Sequence, residues 1–251
     1  MTGLFCLDCC FSSGLNPPIL SEAPTRAAGT ITLNGTSLSI EDAGKIAAGE
    51  ADVTIAPEAV KLLEDSHKLV MASAAQGLAV YGLTVGVGLN KDQKLFTADG
   101  KLSPEVLETS RAFNYNALRS HSASVSEMMP VDLARLSMVV RLNTLLAGKF
   151  GAQVRVAELY RDMLNKNVTP LIPSEGSVGE ADILLASHVG AVMIGEWKAD
   201  VKGKVMTGAD ARNAERIVEM TPTIYGLSLE GLNGNVAPIL PQTIGARPFY
   251  G

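Results

Sequence analysis

Residues 183–194, Ile-Leu-Leu-Ala-Ser-His-Val-Gly-Ala-Val-Met-Ile, limit the possible folds most, because only Ser187 and His188 interrupt an apolar run. A helix with so little polar face has to be central and surrounded by other elements. Directly before it, Ile172-Pro173-Ser174-Glu175-Gly176-Ser177-Val178-Gly179-Glu180-Ala181-Asp182 gathers small residues into a loop. Backbone N–H groups at a helix start lack intrahelical partners and sit at the positive end of the helix dipole. Such a loop is either an anion or oxyanion cradle or simply a tight entry into a core helix, and the spacing fits both.

The rest of the chain can supply those surroundings. Its 251 residues are 47% hydrophobic and 19% charged, enough for a sizeable core. Aromatic residues are only 5% while Gly, Ala, Leu and Val are plentiful, which suits closely packed helices better than a sheet sandwich and makes the expected class mainly α. The formal charge of -5 gives no electrostatic footprint for nucleic acid. All three cysteines, Cys6, Cys9 and Cys10, lie in the first ten residues, so no disulfide or zinc framework runs through the body of the chain. Met1 to Phe11 is apolar but has no basic start and meets Asp8, unlike a secretory signal. No run reaches membrane-spanning length, and a cytoplasmic protein without membrane contact is expected.

Residues 1–29 read as an irregular extension with Pro17, Pro18 and Pro24, and residues 30–251 as one domain. Asn34-Gly35 between alternating residues predicts a small hairpin over Ile31–Leu38. Ser39 with Asp42 three residues later predicts a capped helix through Ala48. Pro57 and Glu58 open another helix whose Val60, Leu63, His67 and Val70 share a face, with His67 expected to be a partnered boundary residue. A helix started by Ser103-Pro104-Glu105 gathers Asn114, Asn116, Arg119 and Ser120 toward His121. The next, Pro130 to Ala147, is apolar except at Arg141 and Asn143, which are either paired inside the protein or mark its surface. Val154 to Leu164 is amphipathic, Trp197 to Met206 predicts a hairpin across Gly203, and Thr207 with Asp210 caps a last helix through Met220.

Taken in order, several of these pieces resemble the histidine, phenylalanine and tyrosine ammonia-lyase family, which includes aminomutases. Tyr81-Gly82-Leu83-Thr84-Val85-Gly86-Val87-Gly88 is similar to the family's Tyr-Gly-x-x-x-Gly-x-Gly loop, and Leu118-Arg119-Ser120-His121-Ser122-Ala123 to its Ser-His segment. The likeness continues through Arg141 to Gly148, Pro170 to Pro173, Gly176-Ser177-Val178-Gly179 and Asn233-Gly234. It implies a helical ammonia-lyase-like N-terminal region with small β-hairpins. Family chemistry removes ammonia and a β-proton with an electrophilic methylidene-imidazolone ring, made from an internal Ala-Ser-Gly, and a tyrosine base. By that resemblance Tyr81 matches the base, Asn233 matches the asparagine that supports the ring, and Gly88, His121 and Ser177 are expected to contact the substrate.

The chain departs from the pattern at the electrophile. Where the family reads Gly-Ser-x-Gly-Ala-Ser-Gly-Asp-Leu, this chain reads Gly176-Ser177-Val178-Gly179-Glu180-Ala181-Asp182-Ile183, so no methylidene-imidazolone is expected. Glu180 then becomes the candidate acid–base residue, while Asp182 suits a helix start. Glu180, Asp182, His121 and His188 are conceivable metal ligands without metal-like spacing, and no metal site is assigned. Family members continue into a long helical bundle, so a second polypeptide carrying that bundle, within an oligomer, is expected to complete the site. Carbon–nitrogen lyase chemistry on an amino acid-like small molecule is the first reading. A non-catalytic ligand-binding or assembly relative is the alternative.

Overall fold

The computed structural model describes residues 29–79, 112, 115–149, 151–176 and 183–217. In chain order these form β1 (Gly29–Leu33), α1 (Ile40–Ala47), β2 (Ala51–Ile55), α2 (Pro57–Ala75), α3 (residues 115–121) and β3 (Val125–Met128). They continue as α4 (Val131–Leu146), α5 (Val154–Asn165), β4 (Val168–Pro170), β5 (Pro173–Glu175), α6 (Ile183–Met193), β6 (Lys198–Val201), β7 (Lys204–Thr207) and α7 (Gly208–Ala214). The protein is mainly α, and the described residues include three small sheets ordered β1-β2, β3-β5 and β4-β6-β7. Among the described residues no helix is long and apolar enough to cross a membrane.

Helix α4 is the axis of the core. Met138, Val139, Leu142, Leu145 and Leu146 are buried along it and join Ile46 of α1, Leu63 of α2 and Val156, Leu159 and Met163 of α5 in one cluster. Each such side chain contributes about 1.5–3 kcal/mol by leaving water, which explains why α4 and α5 are held whatever their local propensities. Both arginines of α4 lie inside rather than on the surface. Arg135 is buried, and its guanidinium donates to Ala47 O at 2.7 Å, Ile46 O at 2.9 Å and Leu164 O at 3.1 Å. It thereby satisfies carbonyls at the C-terminal ends of α1 and α5, where the helix dipole favours a cation. Arg141 is buried against the Tyr160 phenol; burial pushes it down to about 10, partly offset by that phenol, so it stays charged at neutral pH. Asn143 Oδ1 accepts from Gly35 N at 3.1 Å.

Several local signals hold. Ser39 caps α1 by accepting from Asp42 N, Thr207 caps α7 by accepting from Asp210 N, and β6 and β7 form the hairpin across Gly203. His67 is half-buried and its Nδ1–H donates to Gly151 O at 2.8 Å. In α6, Ser187 to Met193 are buried and the first turn is half-buried.

Two expectations are corrected. The hairpin predicted over residues 31–38 does not form, because β1 pairs in parallel with β2, Leu33 opposite Ile55. Asn34 Oδ1 takes the N–H groups of Thr36 and Ser37, both at 3.0 Å, and Gly35 gives its own to Asn143, so the chain turns into α1 instead of back along β1. Asn165 then closes the free edge of β2, accepting from Val53 N at 2.8 Å and donating to Val53 O at 2.9 Å. The last helix ends at Ala214, short of Met220. There Arg216 takes φ +54°, its N–H bonds Asn213 O at 3.2 Å, and Ile217 N–H returns to Arg212 O at 2.8 Å. This is a Schellman stop sealed by buried Ile217, and nothing in the local residue pattern announces it.

Candidate functional site

A pairing between distant segments builds the site. Strand β3 runs antiparallel to β5 with Val125 opposite Glu175 and Met128 opposite Pro173, and Met129 N–H adds a bond to Ile172 O at 2.7 Å. The end of α3 is thereby carried to Gly176, the residue that opens the small-residue loop. Gly176 has φ +132°, and a Cβ there would lie 3.2 Å from both Ser124 Cα and Ser124 Oγ and 3.4 Å from a Leu184 methyl. Only a glycine lets β5, the segment after α3 and the first turn of α6 meet this closely. The Ser-His segment and the entry to the apolar helix are therefore neighbours.

His121 ends α3 half-buried, with Nδ1 2.7 Å from Ala117 O and 3.3 Å from Ser120 Oγ. A carbonyl can only accept, so Nδ1 carries a proton and donates to it. Ser120 and Ser122 spend their hydroxyls on Ala117 O at 3.1 Å and Leu118 O at 2.8 Å. Ser124 differs: it is buried at 8% exposure and its Oγ has no hydrogen-bond partner. The adjoining Ser126 holds φ +79° where the pairing of β3 with β5 shifts register.

On α6, His188 is fully buried, with Nδ1–H donating to Leu184 O at 2.8 Å. Its Nε2 is then an acceptor, and it too is unpartnered. The ring stands edge-on to Trp197 at 4.7 Å and 67°, while Trp197 Nε1–H donates to Leu171 O at 2.6 Å. Burial pushes the His188 imidazole below its ordinary value, only partly opposed by its backbone bonds. Arg119 ties α3 to the end of α6: its Nε lies 3.0 Å from both carboxylate oxygens of Glu196, and Nη2 also bonds Oε1. That carboxylate raises Arg119 above its usual value, and the guanidinium carbon sits 5.5 Å from the Tyr115 ring centroid. The junction thus holds two buried polar atoms without a partner, Ser124 Oγ beside Gly176 and, one turn after Leu184 along α6, His188 Nε2.

The model of the aromatic amino acid lyases matches residues 38–223. The chain belongs to the aromatic amino acid lyase family. It is 35% identical over 188 residues to a histidine ammonia-lyase of Treponema denticola, covering 72% of this chain and 34% of that one. A histidine ammonia-lyase of Caldanaerobacter subterraneus subsp. tengcongensis is 32% identical over 203 residues, covering 80% and 37%. Among solved structures, the ergothioneine-degrading ergothionase of Treponema denticola superimposes with a TM-score of 0.72 at 29% identity, over 86% of this chain and 41% of that one. Tyrosine aminomutase from Streptomyces globisporus gives 0.70 at 25% identity, over 83% and 37%. This lyase-family chain therefore spans little more than a third of the length of these two histidine ammonia-lyases.

Of the lyase-type site residues expected from the sequence, the structure places His121, at the end of α3 and three residues before the Ser124 that meets Gly176. Tyr81, Gly88, Ser177, Glu180 and Asn233 lie outside the described residues. Among the described residues no three His, Cys, Asp or Glu side chains gather as a metal group, so His121 and His188 do not meet in one. Sequence reasoning missed Ser124 and Glu196. Neither carries a local signal, since one is marked only by an unspent buried hydroxyl and the other by a partner 77 residues away.

Proposed function

We propose that this chain forms part of an ammonia-lyase-like enzyme that acts on an amino acid or related small molecule by C–N elimination or related acid–base chemistry. The observation that carries the reading is the meeting of the unspent Ser124 hydroxyl, three residues after His121, with Gly176 at the entry to α6. In this reading Tyr81 is the base, Glu180 the second acid–base group, Asn233 a supporting polar residue, and Gly88, His121 and Ser177 substrate contacts. The family's methylidene-imidazolone has no part in it. Its formation needs a glycine nitrogen to attack an alanine carbonyl and a serine to lose its hydroxyl, and Glu180-Ala181-Asp182 provides neither. Unoxidised, uncyclised chain would give an intact mass equal to the sequence mass; a deficit from lost water at residues 179–182 would refute this element.

The same reading includes a second polypeptide carrying a helical bundle, within a cytoplasmic oligomer. Val125, Met128, Val131 and Leu133 are exposed beside β3 at 61, 46, 44 and 48%, and support a covering partner there. A stable, soluble monomer by light scattering would count against it. The activity test is release of ammonia or an unsaturated acid from a panel of amino acids, wild type beside Tyr81→Phe. Turnover that survives Tyr81→Phe removes the tyrosine from the mechanism. The altered electrophile motif favours one further reading, a non-catalytic ligand-binding or assembly subunit, which is adopted if amino acids bind but none is turned over with any companion chain.

A further inference from the structure

A separate recess lies at the other end of α4. It has a volume of about 450 Å³ and is enclosed by the loop between β1 and α1, by α1, by α2 and by the C-terminal half of α4. That is the size of a small-molecule pocket. At 1.5 Å per residue, Asn143 stands about 18 Å along α4 from Val131, which follows β3, so the recess is distinct from the junction at Gly176.

The recess is preformed. Gly35 lies so close to the end of α4 that a Cβ would come within 2.5 Å of Ala147 N, and the Asn34 side chain locks the loop from within. Leu62 seats where a Gly148 Cβ would lie, 2.3 Å from its Cγ, and forms an apolar wall with Leu38, Ala43 and Val140. The polar groups on this surface are unevenly spent. The acids are used: Glu41 pairs with Lys45 at 2.7 Å, and Asp42 accepts from Ser39 Oγ at 2.8 Å. So are the amide oxygens, because Asn143 Oδ1 holds Gly35 N and Asn34 Oδ1 accepts from the N–H and hydroxyl groups of Thr36 and Ser37. What remains among the described residues is donors without acceptors: the Nδ2 amides of Asn34 and Asn143, and the Lys149 ammonium, which lines the recess with no carboxylate in reach.

We propose that this recess binds a small organic carboxylate, its apolar body against Leu38, Ala43, Leu62 and Val140 and its anionic head on Lys149 and the asparagine amides. An apolar wall of this extent disfavours a strongly hydrated inorganic anion. Ile40 at 94% exposure and Leu62 at 47% add apolar surface that such a body would cover.

The test is amide NMR on the full chain, titrated separately with hexanoate, hexanol and inorganic phosphate. Hexanoate is expected to saturate at millimolar concentration with shifts at Gly35, Thr36 and the Asn143 side chain, while hexanol and phosphate leave them in place. Lys149→Gln, an exposed change that spares the fold, is expected to weaken hexanoate by about fivefold, and Ala43→Leu to abolish it by filling the recess. Binding that ignores Lys149→Gln, equal binding of hexanol, saturating shifts from phosphate, shifts confined to Gly176 and His121, or no saturable shift at all would each overturn the proposal. None of these outcomes depends on turnover, so the site stands or falls apart from the lyase reading.

Discussion

The packing of α1, α4 and α5 and the junction of α3, β3, β5 and α6 both bury polar side chains, but they use them differently. In the first region Arg135 sends three donors to three carbonyls and Asn165 completes both edge bonds of Val53. In the second, Ser124 Oγ and His188 Nε2 are buried with nothing to bond. A buried polar group with partners adds about 1 kcal/mol net, whereas one without them costs about 1–3 kcal/mol. The contrast sets polar side chains spent on holding the fold, Arg135 and Asn165, against a hydroxyl and an imidazole nitrogen that the fold leaves unused.

The largest effect expected is for Arg135→Met, which removes three charge-assisted bonds and leaves Ala47 O buried without its donor, while Ile46 O and Leu164 O keep only a backbone N–H, and should lower stability by on the order of 3–5 kcal/mol in urea denaturation. A loss near zero would mean those carbonyls rehydrate and the first region is not held by its buried cation. Next, Gly35→Ala forces a side chain into φ +88° and onto the α4 backbone. It should cost about 2 kcal/mol by the same measurement, and an unchanged midpoint would show that the loop can lift away.

At the junction the effects are smaller and of another kind. Burial depresses the folded His188 below its unfolded value, so between the two values the folded chain binds fewer protons. Its contribution is complete above about pH 6.5 and is lost as pH falls through that value toward the lower folded one. Stability should therefore drop between about pH 7.5 and pH 5.5 by more in wild type than in His188→Gln, and equal drops would assign the loss to another group. The smallest change is expected for Ser124→Ala, within about 1 kcal/mol of wild type and in the stabilising direction, since no folded-state bond is lost. A clear destabilisation would reveal a structural partner for that hydroxyl and erase the contrast between the regions.

Much of the helical framework was legible in short stretches of sequence. Ser39 with Asp42, Pro57 with Glu58, and Thr207 with Asp210 mark helix starts because capping chemistry acts across three or four residues. The burial of α6 follows from the lack of a polar face. Of the candidate site, the family motifs located His121, and the structure showed what stands around it. The parallel pairing of β1 with β2 was misread as a hairpin, since Asn34-Gly35 is a turn signal whose direction depends on Asn143, more than a hundred residues later.

By itself, the sequence determined that the chain is mainly helical and that the apolar run from residue 183 forms a helix most of which is buried. Tertiary structure alone decided that Gly176 meets Ser124, that Arg119 grips Glu196 and that Arg141 lies inside. The physical reason is range. Caps, turns and apolar periodicity are settled between residues a few positions apart, whereas strand pairing and the partner of a buried charge depend on segments that only the packed core brings together.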